Sequence, residues 1–334
     1  MKKRPNIVIL GDGGWGSALG ILLAKKGFKV TIWGAFADNV LIMRQKRVNT
    51  KFLPGVKIPK NIEITHDLAS AIKEKDIVLL AIPSQYLRGV LKKIKKIGYP
   101  HDAIYLSVIK GLEISTLKRV SEVIHDELGK VKLAVLSGPT IAYEVAKGIP
   151  TVAVIASHNL ALRKYLQKIF ITDRFRIYTN NDVIGVELGG SLKNIIALAC
   201  GVSDGLGFGT NTKAAILSRG LAEISKLGIA MNAKAATFSG ITGLGDLVTT
   251  CISMHSRNRF VGEQIGKGKT LKEIIKHLNA VAEGVPTAKA GHYLSLKYKV
   301  AMPITSEVYK VLYKNKPAIK AFKDLMGRKR KEEI

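Results

Sequence analysis

Ile7-Val8-Ile9-Leu10-Gly11-Asp12-Gly13-Gly14-Trp15-Gly16 is the stretch that decides the fold. Its four leading apolar residues form the kind of short run that becomes a strand buried on both faces of a parallel sheet. Ser17 to Lys26 favours helix, Gly27 stops it, and Phe28 to Trp33 reads as a second strand. Strand, glycine turn, helix, strand is the context in which a GxGxxG spacing signals a dinucleotide site. Gly11 then permits the tight turn, Gly13 lets backbone approach a pyrophosphate, and Gly16 lets helix and strand pack closely. The N–H groups opening the helix supply the anion site. Without that context the same glycines would be an ordinary turn.

Working outward, Asp76 to Ile82, Ala103 to Ile109, Leu133 to Leu136 and Thr151 to Ala156 read as further strands. Three of them run into polar or glycine-rich ends: Pro83-Ser84, Lys110-Gly111 and Ser137-Gly138-Pro139-Thr140. Ligands of open α/β sheets bind at such carboxyl ends. After about residue 185 the strand signals fade. Leu192–Cys200, Thr212–Leu227, Ala233–Phe238, Asn258–Ile265, Leu271–Asn279, Ala288–Tyr298 and Ile304–Tyr313 suit helices, with Gly201, Gly228, Gly266 and Gly268 as punctuation. The expected architecture is α/β: an N-terminal Rossmann-type doubly wound sheet over residues 1–187, then an all-α C-terminal domain over 188–334. The cleft between the two is where a small-molecule site belongs.

Composition narrows the class. The 334 residues, 47% of them hydrophobic, suffice for two packed cores. The net charge of +28 favours anionic ligands. Its lysines are scattered and few aromatics lie among them, which argues against a nucleic-acid groove. The one dense basic cluster, Arg328-Lys329-Arg330-Lys331, reads as a solvated tail. Cys200 and Cys251 make no disulfide framework and fit a reducing cytoplasm. Met1 to Asn6 leads into too short an apolar run for a signal segment, and no long uncharged apolar stretch predicts a membrane span. The seven histidines show no ligand spacing, so no metal is expected.

The adenosine end is read from the second strand. Trp33 is followed by Gly34, Ala35 and Phe36, with no acid before Asp38, so nothing repels a 2′-phosphate. Arg44, Lys46 and Arg47 lie on the next helical stretch as candidates to attract one, or as plain solvated charges. The reading leans to NADPH and leaves NADH open.

Several motifs follow in order. They are Gly11 to Gly16, Lys110-Gly111-Leu112-Glu113, Ser137-Gly138-Pro139-Thr140, and Val186-Glu187-Leu188-Gly189-Gly190-Ser191-Leu192-Lys193-Asn194. Gly243-Leu244-Gly245-Asp246-Leu247, Ser256-Arg257-Asn258-Arg259 and Ala282-Glu283-Gly284-Val285 complete the series. From Ile7 to Gly327 the chain resembles the bacterial NAD(P)-dependent glycerol-3-phosphate dehydrogenases. The resemblance implies reversible reduction of dihydroxyacetone phosphate to sn-glycerol 3-phosphate, the backbone precursor of phospholipids, in a cytoplasmic homodimeric enzyme. It implies that Lys193 transfers the proton. It implies substrate contacts at Lys110, Gly138, Thr140, Lys193, Asp246, Ser256, Arg257 and Asn258. Cofactor contacts fall on Gly11, Gly13, Gly14, Trp15, Gly16, Lys110, Ala142, Arg257, Val281 and Glu283. Asp12 and Gly14 stand where that family commonly has Ala and Ser, Thr140 replaces Ser, and Ser191 replaces Ala. Ala35 stands where a basic or His residue is frequent. Asp12 would oppose a pyrophosphate unless its side chain turns away.

The residue types suit the chemistry. Ketone reduction needs a hydride on the carbon and a proton on the oxygen. A lysine beside the apolar run Ile195 to Cys200 loses solvation and becomes a usable acid, the alternative being a surface lysine whose stem lies along apolar neighbours. Asp246 reads either as its partner or as a helix N-cap. Arg257 after Ser256 at a helix start suits a phosphate, or is an exposed arginine behind a serine cap. Glu283 suits a nicotinamide ribose or amide, or an ordinary helix end. Hydroxyacid and ketopantoate-type dehydrogenases share this plan and a central lysine but take carboxylates.

Overall fold

The computed structural model describes residues 4–278, 280–329 and 332. Met1 to Lys3, the Asn279 end of one expected helix, and Arg330 and Lys331 of the basic tail lie outside them. The strands are β1 Asn6–Leu10, β2 Lys29–Trp33, β3 Val48–Asn49, β4 Leu53–Lys57, β5 Ile62–Thr65, β6 Ile77–Leu80, β7 Ile104–Ser107, β8 Lys132–Ser137, β9 Thr151–Ala156 and β10 Phe175–Asn180. Eight of them form one sheet in the order β10-β9-β8-β7-β6-β1-β2-β5, while β3 and β4 pair apart as a hairpin. Every pairing in the large sheet is parallel except β8 with β9.

β1 shows why the apolar run becomes a central strand. Ile7 and Ile9 join the core on one face, Val8 and Leu10 the core on the other, and all four are fully buried. The order reverses at β1, since β2 lies on one side and β6 on the other. That switch point opens a crevice at the strands' carboxyl ends, and the glycine turn sits at its floor.

Helices make up the rest from Val183 onward, around a third core. The central Val183–Gly205 helix starts earlier than Leu192, because the Asp182 carboxylate accepts the Gly185 N–H at 2.9 Å and caps it. It is long and apolar enough to cross a bilayer, yet 89% of its apolar window is buried inside the protein. Gly201 does not stop it. A Cβ there would lie 2.0 Å from the Arg259 carbonyl oxygen, so glycine admits the Arg257–Gly266 helix alongside. Gly228 likewise lies within Thr210–Ala230, against the Phe238 ring. The Asp246–Ile252 and Ala318–Met326 helices and strands β5 and β10 were not anticipated.

Candidate active site

The glycine turn meets its three requirements. Gly11 has φ 121°, and a Cβ on it would lie 2.4 Å from the Ala81 carbonyl oxygen at the end of β6. A Cβ on Gly16 would lie 2.2 Å from the Gly11 carbonyl oxygen. A Cβ on Gly13 would meet nothing within 4 Å, so this face of the turn stands open where a pyrophosphate would approach. The Gly14–Lys25 helix begins directly behind it. Gly14 is required as well, because a Cβ would come 2.5 Å from the Phe52 carbonyl oxygen, and Ala142 packs beside it. These residues fit a dinucleotide.

Asp12 turns away from the open face. Its Oδ2 accepts the Asn39 side-chain N–H at 2.6 Å, and its carbonyl oxygen accepts Asn49 Nδ2 at 2.6 Å. Burial pushes its carboxyl above the usual range. Arg47 is spent elsewhere, its guanidinium donating to the Pro59 and Ile62 carbonyls, which removes it as a 2′-phosphate ligand.

Across the crevice, two lysines share one buried carboxylate. Lys110, just past β7, donates from Nζ to Asp246 Oδ2 at 2.7 Å, to the Gly138 carbonyl at 2.6 Å and to Thr140 Oγ1 at 3.1 Å. Lys193 Nζ lies 2.6 Å from Asp246 Oδ1 and donates to Thr250 Oγ1. Asp246 is therefore no N-cap; it opens a helix with its carboxylate turned inward between the two cations. Desolvation lowers Lys110 to about 8, with Asp246 opposing that shift and Lys193 adding to it. The Lys193 side chain is only 6% exposed, which excludes the surface-lysine alternative.

The amide of Asn194 ties the halves of this centre together. Its Nδ2 donates to the Lys110 carbonyl at 3.0 Å, and its Oδ1 accepts Asn258 Nδ2 at 2.9 Å. Asn258 Oδ1 accepts the Gly284 N–H at 2.9 Å, so its side chain is held in place with its second Nδ2 hydrogen and its backbone N–H left for an anion. Ser256 is the N-cap of the Arg257–Gly266 helix, accepting Arg259 N–H at 3.3 Å. Arg257 and Asn258 occupy its first turn, where backbone N–H groups lack intrahelical acceptors. Arg257 is exposed and donates to the Val281 carbonyl at 3.0 Å. Glu283 lies at the start of the Gly284–Lys297 helix, not at a helix end. Its carboxylate accepts the Ser84 N–H at 2.7 Å and the Ser84 hydroxyl at 2.6 Å, across the crevice. Thr250 and Asn194 are the functional residues that sequence reasoning missed. Thr250 stands four residues after Asp246 on one helix face, a spacing that was available as a signal. Among the described residues no group of three or more His, Cys, Asp or Glu side chains stands together to hold a metal.

An open glycine turn at the switch point, together with two lysines on one buried carboxylate, marks a two-domain nicotinamide-dependent oxidoreductase. Family models describe its two parts as the NAD-dependent glycerol-3-phosphate dehydrogenase N-terminus, over residues 6–163, and C-terminus, over residues 182–323. The chain is 48% identical over 330 residues to the glycerol-3-phosphate dehydrogenase [NAD(P)+] of Fusobacterium nucleatum, covering 98% of each. It is 48% identical over 331 residues to that of Chlorobium phaeobacteroides, covering 98% of this chain and 99% of the relative. The crystal structure of glycerol-3-phosphate dehydrogenase from Coxiella burnetii superposes with a TM-score of 0.94 at 37% identity, over 97% of this chain and 99% of that one. The chain belongs to the NAD-dependent glycerol-3-phosphate dehydrogenase family.

Proposed function

We propose that this enzyme interconverts dihydroxyacetone phosphate and sn-glycerol 3-phosphate, with residues 1–187 binding NAD or NADP and residues 188–334 presenting the substrate groups. The observation that carries the reading is the Lys110–Asp246–Lys193 cluster, which stands just past the carboxyl end of β7. A reduced nicotinamide bound there supplies the hydride. Lys193 gives its proton to the carbonyl oxygen of the substrate as the alcohol forms. Asp246 and Thr250 hold its Nζ in place, and Lys110 adds positive charge where the oxygen becomes anionic. Arg257 and the first-turn N–H groups of Arg257 and Asn258 receive the phosphate. Lys110 also holds Gly138 and Thr140, so the Gly138-Pro139-Thr140 loop moves with the catalytic centre. Glu283, fixed by Ser84, and the turn Gly11–Gly16 with Trp15, Ala142 and Val281 line the cofactor's path. A cytoplasmic homodimer supplying phospholipid backbone suits this reading. Lys193→Ala should lower turnover about a thousandfold while cofactor affinity, measured by fluorescence titration, stays near that of the parent. Turnover within a few-fold of the parent would overturn the assignment.

A further inference from the structure

Gly34 follows β2 directly, at the place from which a dinucleotide site ordinarily extends an acid to the adenosine ribose. Here that place has no side chain, and a carboxylate from elsewhere stands over it. A Cβ built on Gly34 would lie 2.7 Å from Asp12 Oδ2 and 2.8 Å from Asp12 Cγ. The Asp12 carboxylate thus sits where a side chain at position 34 would begin, and it arrives from the glycine turn. The Asn39 side chain, from the first turns of the Ala37–Lys46 helix, fixes it there at 2.6 Å. A carboxylate offers about four acceptor sites, so one bond from Asn39 leaves capacity for a ribose hydroxyl.

We propose that Asp12 is the residue that sets cofactor preference, accepting the adenosine 2′-hydroxyl of NADH and repelling the 2′-phosphate of NADPH. This rests on the reading of the Gly11–Gly16 turn as the cofactor site, and it reverses the lean to NADPH drawn from the bare Gly34-Ala35-Phe36 sequence. The surroundings agree. Asp38 adds an acid in the first turn after Phe36, and Arg47 is turned onto the Pro59 and Ile62 carbonyls. Lys51 is the cation that acts on Asp12, and it is exposed. It is the residue that would hold a 2′-phosphate if the proposal were wrong. A hydrogen-bonded hydroxyl lost and a like charge brought close act in the same direction, so the discrimination should reach about tenfold or more in Kd.

The test is equilibrium titration of the full chain with NADH and with NADPH, by ligand fluorescence, without substrate. The parent should bind NADH about tenfold or more tightly than NADPH. Asp12→Asn, which keeps the shape and removes the charge, should bring the two Kd values within about threefold of each other. Lys51→Ala should leave the parent's ratio in place. Equal affinities, or a preference for NADPH lost in Lys51→Ala, would overturn the proposal and leave the cofactor site standing. An unchanged ratio in Asp12→Asn would overturn it too. Should that variant fail to melt cooperatively, the parent's ratio and Lys51→Ala decide. Binding of neither nucleotide by the parent would instead remove the cofactor site itself.

Discussion

At the scale of single residues, the centre works because one carboxylate is made to serve two lysines. Asp246 is 1% exposed, and a carboxylate so placed needs partners for both oxygens, which the two lysines supply. Lys110 carries the cost of that arrangement: burial brings it well below the ordinary lysine range, to about 8. A lysine with a lowered pKa is a cation below that value and neutral above it. The positive charge beside the reacting oxygen is therefore present at neutral pH and lost as pH rises through about 8. The kcat/KM for ketone reduction should fall on an alkaline limb near pH 8, and Lys110→Arg, which stays charged, should flatten that limb even where it lowers the rate. A profile flat to pH 10 in the parent would show that Lys110 does not titrate in the reaction. Lys110, Lys193 and Asp246 were legible in the sequence through their motifs. The side-chain commitment of Asn258 was not, because it depends on Asn194 and Gly284, which lie far away in sequence.

At the scale of elements, glycines were the harder letters to read. The Gly11–Gly16 turn directly follows a strand and opens a helix, a context visible in the sequence, although Gly11 and Gly14 also answer to the distant Ala81 and Phe52 carbonyls. Gly201 on one helix and Gly266 on another read as stops, and Gly205 and Gly262 beside them carried no reading. They are instead the contact between two helices: a Cβ on Gly262 would lie 2.1 Å from the Leu198 carbonyl oxygen, and one on Gly205 2.2 Å from that of Glu263. Nothing local distinguishes a glycine that ends a helix from one that lets another backbone approach. That contact holds Asn258 beside Asn194, so it also builds the site. Gly262→Ala should cost about 1–3 kcal/mol in urea denaturation, whereas Gly89→Ala, exposed in the middle of the Ser84–Ile97 helix and with a Cβ that would meet nothing, should stabilise by about 0.5–1 kcal/mol. Equal effects would mean that the helices can separate without strain. The short strand β5 and the edge strand β10 escaped notice because their alternating, charged sequences lack the continuous apolar run that marks β1.

At the scale of the molecule, the sheet and the helices are joined by polar contacts as well as by packing. Glu187, in the first turns of the central helix, takes Arg119 Nη1 at 2.5 Å, the Ser121 N–H at 2.7 Å and the Ser121 hydroxyl at 2.6 Å. Lys193 lies on that same helix, so the anchor fixes the lysine proposed to transfer the proton relative to the sheet. Glu187→Ala removes three hydrogen bonds and leaves Arg119, its side chain 12% exposed, with Glu122 at 3.3 Å as its remaining ion pair, which should cost about 1–3 kcal/mol, read from the urea midpoint. An unchanged midpoint would show that Arg119 reaches water or another partner. The plan of a sheet part followed by a helical part was visible from the change in periodicity along the chain, while these contacts between the two appear only once both are folded. The charge of +28 is spread over both, as the scattered lysines foretold.

The most direct test of the whole account follows NADH and NADPH absorbance with the purified chain and dihydroxyacetone phosphate, beside a panel of 2-oxo and 3-oxo carboxylic acids. Oxidation of the cofactor with the phosphorylated ketone, and little with the carboxylates, is the predicted result. Oxidation with a carboxylate and not with dihydroxyacetone phosphate would contradict it, and would turn the Arg257 helix start into a carboxylate site.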